Sequence, residues 1–185
     1  MAQKRRTFLK LLGASGAASL LPASALQAVD RVPAEGFVSS EDAQEVYLIG
    51  PRRSPVTIMV DKRNKGVSTI SFCREEIEPG GAIPVHKHLA EDETIYVQYG
   101  SGLFTLGEKE YEVKAGSVAF VPKGVWHRMH NTGTTPLRML FSYTPGGFEN
   151  YFREIGVAPG APPLNLTDEQ WHAVDKKYGI VYKPR

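Results

Sequence analysis

From Val46 to Tyr143 apolar residues recur in short runs, and each run stops at a cluster of Gly, Pro, Asp, Asn or Lys. Val56-Thr57-Ile58-Met59-Val60 alternates and gives way to a polar turn from Asp61 to Gly66. Val67 to Ile77 reads as a longer strand closed by Pro79-Gly80-Gly81, and Thr94 to Tyr99 as another closed by Gly100-Ser101-Gly102. Leu103 to Leu106 and Tyr111 to Val113 flank Gly107-Glu108-Lys109 and predict a hairpin. Ser117 to Val121 and Val125 to Met129 flank Pro122-Lys123-Gly124, and Leu137 to Tyr143 is the last clear strand. About eight short strands at regular spacing predict an all-β sandwich or barrel.

The period changes after Tyr143. Phe148, Tyr151, Phe152 and Ile155 recur at helical spacing. A Pro-rich connector, Pro159 to Pro163, precedes a capping box with Thr167 at its N-cap and Gln170 three residues on. Trp171, Val174 and Tyr178 then share one helical face, and Gly179 supplies the stop. These stripes are expected to pack on the barrel wall, closing a flank or joining a subunit interface. The chain thus divides into an arm at 26–45, a barrel at 46–145 and a helical extension at 146–185.

The first 25 residues stand apart. Lys4, Arg5, Arg6 and Lys10 occur there without an acid, followed by an apolar Leu/Ala/Gly/Ser stretch and a small-x-small cleavage site at Ala23-Ser24-Ala25. Arg5-Arg6-Thr7-Phe8-Leu9-Lys10 resembles a twin-arginine export signal, with Lys4 where Ser or Thr is commoner. The alternative is an ordinary secretory signal or a retained anchor. The apolar stretch is too short to span a membrane, so no span is expected in the mature chain. Export machinery is an expected partner, and a periplasmic or secreted location follows. Without those four cations, 18 basic residues face 20 acidic ones, a net charge of −2. No basic surface for nucleic acid remains. Cys73, the single cysteine, is expected as an unpaired thiol on a strand.

Candidate chemistry is concentrated between Gly80 and Asn131, which hold four of the five histidines. His86 and His88 are two apart, so on a strand both leave from one face. Glu93 follows a short polar turn, and His127 lies in a separate strand beyond Pro122-x-Gly124. Three imidazoles and one carboxylate suit one transition-metal ion per chain: Fe, Mn, Ni, Cu, Co or Zn. Four protein ligands on a six-coordinate ion leave two positions for water or substrate. Glu91 is a minor alternative ligand, otherwise grouped with Asp92 in a solvated turn. His130 is expected to face away from the site, Met129, Ile95 and Val97 to wall the pocket, and His172 to be exposed.

The order Gly80-x5-His86-x-His88-x4-Glu93-x6-Gly100 and then Gly116-x5-Pro122-x-Gly124-x2-His127-x3-Asn131 resembles the two motifs of the cupin superfamily at every spacing. The resemblance covers roughly Val46 to Tyr143. It implies a single-domain antiparallel β-barrel (jelly roll) with His86, His88, Glu93 and His127 as metal ligands, and a homodimer in which residues 26–45 could be an exchanged arm. The stretch from Pro145 to Gly156 is also similar to the end of single-domain cupins related to quercetin dioxygenases. That likeness implies a metal-dependent dioxygenase for a small enolic, phenolic or flavonol-like substrate. Glu93 would then be ligand and catalytic base, a role that needs its pKa raised by an apolar interior. The alternatives are a non-redox lyase, isomerase or decarboxylase, or a non-catalytic periplasmic binding module.

Overall fold

The computed structural model describes residues 36–51 and 53–184; the expected signal at 1–25 and the first ten residues of the expected arm lie outside them. A short 3-10 turn, Glu41–Ala43, leads into β1 (Glu45–Ile49) and β2 (Ser54–Val60). The segment expected as a polar turn folds as a single helical turn, α1 (Lys62–Lys65). The Asp61 side chain accepts from the Asn64 N–H at 2.8 Å while the Asn64 side chain caps the Asp61 N–H, and Gly66 closes the turn left-handed. The next strand therefore begins only at Ser71: β3 (Ser71–Ile77). After it come β4 (His86–His88), β5 (Asp92–Tyr99), β6 (Ser101–Leu106), β7 (Lys109–Lys114), β8 (Val118–Val121), β9 (His127–His130) and β10 (Leu137–Thr144).

The strands form two antiparallel sheets. One runs β1-β2-β3-β10-β5-β8, and the other places β4 beside β9, β6 and β7. Alternation along β3 and β10 sends every second residue inward, because successive side chains leave opposite faces. Val56, Ile58, Cys73, Ile95 and Phe141 from the first sheet meet Phe104 and Met129 from the second in one core. Cys73 is fully buried and unpaired, as expected. At Gly102 a Cβ would collide with the His130 carbonyl oxygen, so only glycine lets β6 lie this close to the end of β9.

The extension brings α2 (Glu149–Ile155), β11 (Gly156–Val157), α3 (Asp168–Tyr178) and a strand not expected from the sequence, β12 (Ile180–Tyr182). Phe148, Tyr151, Phe152 and Ile155 are buried against the barrel. Thr167 and Gln170 form the expected capping box, and Gly179 ends α3 with φ 65°. β11 adds an edge to the first sheet beside β1, and β12 adds one to the second beside β4. Among the described residues there are thus twelve strands, because the short pairings escape any periodicity rule. This is a jelly-roll cupin fold with few short helices.

Candidate metal centre

β4 and β9 pair with His86 opposite His127, and His88 follows on the same inner face. The rings of His86 and His127 are 4.1 Å apart, and those of His86 and His88 5.1 Å. Glu93 points inward from β5, in the opposing sheet. All four side chains are 6% exposed or less, and their ligand atoms lie within 4.8 Å of one another. The four sequence-predicted ligands therefore converge.

Local bonds explain the convergence. His86 donates its Nδ1–H to the Pro84 carbonyl at 2.8 Å, and His127 donates Nδ1–H to Val125 at 3.1 Å. Both bonds, by which the tautomer is assigned, leave a bare Nε2 lone pair for the interior. The Pro122–Gly124 turn is pinned to both ligand strands: Gly124 N–H donates to the His88 carbonyl and Lys123 N–H to the Asp92 carboxylate. Asp92 is thus a tether rather than part of a freely solvated turn. Asn131, fully buried, donates to the carbonyls of Ile77 and Thr135, and its backbone bonds to Gly80 and Gly81. The last residue of the second motif therefore holds the start of the first in place and is not a ligand.

The electrostatics point to a cation. The His127 Nε2 lies 2.9 Å from Glu93 Oε2 and that of His88 3.5 Å from it, yet these atoms have no hydrogen-bond partner. Both nitrogens of His88 are orphaned in the same way. Burial, then the His127 and His88 rings, push His86 down to about 3, so it is neutral. Burial alone would raise Glu93, but His127 and His88 outweigh it and hold the carboxyl well below the usual range. A buried carboxylate facing imidazole lone pairs is costly unless something positive sits between them. The donor set, three imidazoles and a carboxylate with ligand atoms within 4.8 Å of one another, fits a transition-metal ion.

Several expectations need correction. A raised Glu93 pKa was expected for a base, whereas its surroundings lower it. Glu91 is not a solvated turn residue: its Oε2 is buried without a partner, and burial raises its carboxyl. The aromatic stripe does more than cover a wall, since the Phe148 ring meets His88 edge-on at 4.2 Å and lines the cavity. His172 is exposed but also borders that cavity. His130 turns outward and Met129 and Ile95 line the cavity, as expected, whereas Val97 is buried in the core without lining it.

The centre opens into a cavity of about 1280 Å³ that runs from Phe148 past Glu93 and Met139 to Ser54. Two of its features were not expected from the sequence. Tyr182 of β12 packs its ring 5.9 Å from His86 and pairs with it across β4. Glu75 of β3 is buried and lines the same space. Inward parity on β3 could have flagged Glu75, but an acid in an apolar run reads as outward.

Residues 73–143 match a family model described as a cupin domain. An oxalate-binding protein of Thermotoga maritima is 39% identical over 69 residues, 37% of this chain and 57% of its own length. An uncharacterized protein of Methanocaldococcus jannaschii is 34% identical over 87 residues, 46% of this chain and 69% of its own. The chain thus spans little more than half the length of the first of these relatives. Among solved structures, a predicted oxalate decarboxylase from Thermotoga maritima superposes with a TM-score of 0.51 at 27% identity, covering 60% of this chain and all of that one. With both motifs in place around one buried cluster, the chain belongs to the cupin superfamily.

Proposed function

We propose that the protein is a metal-dependent enzyme of the non-redox lyase class, acting on an organic acid as a decarboxylase does. The observation that carries this reading is the buried His86, His88, Glu93 and His127 set, opening directly into a cavity large enough for an organic substrate. Relatives bearing the names oxalate-binding protein and predicted oxalate decarboxylase support the choice of an acid. A bound ion would supply Lewis-acid polarisation of a substrate oxygen.

The chain's own residues have defined tasks in this scheme. His86 and His127 present Nε2 because their Nδ1–H groups are spent on Pro84 and Val125. Glu93 would be the one anionic ligand and would offset part of the ion's charge. Phe148, Tyr143 and Ile95 exclude water around the reacting end of the substrate.

A second reading is a dioxygenase for a larger enolic, phenolic or flavonol-like substrate, favoured by the size and apolar lining of the cavity. The deciding experiment loads the protein with iron, manganese, nickel, copper, cobalt or zinc and screens organic acids and enols with and without O₂. Turnover unaffected by anaerobiosis is expected. Strict O₂ dependence overturns the lyase in favour of the dioxygenase, and saturable binding without turnover by any metal form leaves a binding module. We further propose action in the periplasm or outside the cell after twin-arginine export, and a homodimer, on the basis of the N-terminal sequence and the family.

A further inference from the structure

Glu75 is the one interior carboxyl of β3. It is 8% exposed, and no hydrogen-bond or ion-pair partner meets it among the described residues. Its cross-strand neighbours are Val56 on one side and Met139 on the other, so nothing beside it compensates its burial. Such a group is costly in a structural core, yet it faces the same cavity as Glu93, His86 and His127. We propose that Glu75 is a second anchoring point for the ligand, its carboxyl hydroxyl donating a hydrogen bond to an oxygen at the end of the substrate remote from the metal centre. This rests on the metal-site reading above and adds the substrate's length and far-end chemistry to it.

The register sets the length. Glu93 is level with Tyr143, and Tyr143 with Ser71. Glu75 lies four residues further along β3, roughly 13 Å in the strand direction. That offset favours a ligand longer than oxalate, whose carboxylates sit on adjacent carbons, for reaching both the histidine cluster and Glu75. An extended acid or enol with a second oxygen-bearing end is such a ligand. The cavity agrees, since a two-carbon diacid would leave most of its 1280 Å³ to water.

Burial, followed by the negative charge of Glu93, pushes Glu75 up to about 8. At neutral pH it therefore keeps its proton and acts as a donor.

The test titrates cobalt-loaded full-length protein with oxalate, succinate, adipate and suberate, and compares Glu75→Gln with Glu75→Leu by calorimetry. Apolar neighbours make the leucine variant fit to fold, and cobalt content is measured on every sample. Adipate or suberate should bind at least about tenfold more tightly than succinate, the worth of one good hydrogen bond, while oxalate, which can chelate the ion through adjacent carboxylates, should bind parent and variants alike. Glu75→Leu should remove that advantage at unchanged cobalt content, and Glu75→Gln, still a donor, should keep most of it. Equal affinity for succinate, adipate and suberate, or a leucine variant that keeps the preference, overturns the proposal. A glutamine variant as weak as leucine also does so, because the charge and not the donor would then matter. Protein that takes up no cobalt overturns the metal site, and this anchor with it.

Discussion

The two walls of the cavity carry different chemistry. The wall built from β4 and β9 presents three imidazoles, and the backbone fixes the outer nitrogens of two of them, His86 and His127. The opposing wall, built from β3, β10 and β5, presents carboxyls, of which Glu93 alone reaches across to the rings. His86 and His127 are prearranged by bonds to carbonyls two residues away, and Phe148 packs edge-on against the His88 ring. Glu93 instead owes its position to its place in a long strand, paired with β10 and β8 on either side. The centre therefore joins two sheets, and the extension holds them together: α2 is bound to the first through Arg153 and to the second through Tyr151 and β12.

Removing one ligand from each wall is the strongest way to break the comparison. His127→Ala should weaken metal binding by more than the 10–100-fold typical of outer-shell changes, because a direct ligand is lost. Glu93→Gln keeps an oxygen donor and should retain far more metal. Metal analysis after dialysis against graded chelator measures both. Equal losses would show that the carboxylate wall is as essential to holding the ion as the imidazole wall.

The next effect concerns the clasp on the carboxyl side. Arg153, 6% exposed at its side chain, contacts Asp61 at 2.5 Å and Glu45 at 2.8 Å. Arg153→Ala strands the fully buried Asp61 carboxylate, and urea unfolding should show a loss of about 3–5 kcal/mol. Most of that comes from Asp61, since Glu45 is a third exposed and screened by solvent. Arg153 lowers the Glu45 carboxyl, and it and the Asn64 N–H overcome the burial that would raise Asp61. Both groups bind protons less readily folded than unfolded. Their contribution is present above their ordinary values of 4.5 and 3.8 and is lost as the pH falls below them. The variant should accordingly show a shallower acid loss than the parent, and equal slopes would remove this cluster from the account.

Legibility in the sequence follows the same division. His86, His88 and His127 could be found because strand parity and turn residues act over two to six positions, and Glu93 because the spacing of the motif carries it. Asn131 was legible as a motif residue but not in its role, which depends on Ile77 and Thr135 meeting it in space. Glu75 was hidden because an acid in a strand is ordinarily turned outward. β12 was hidden because three residues after a helix stop carry no period, and its pairing with β4 is a tertiary event.

That hidden strand supports the smallest effect, which also sharpens the contrast between the walls. The Tyr182 hydroxyl lies 3.0 Å from that of Tyr151, which in turn donates to Asp175 at 2.9 Å, linking β12, α2 and α3. Its ring, not its hydroxyl, faces His86. Tyr182→Phe should therefore cost about 1 kcal/mol in urea unfolding, the net worth of a partly buried hydrogen bond, with metal content unchanged. If metal content falls with it, the imidazole wall depends on its outer strand for alignment, and the local backbone bonds to Pro84 and Val125 are insufficient to hold it.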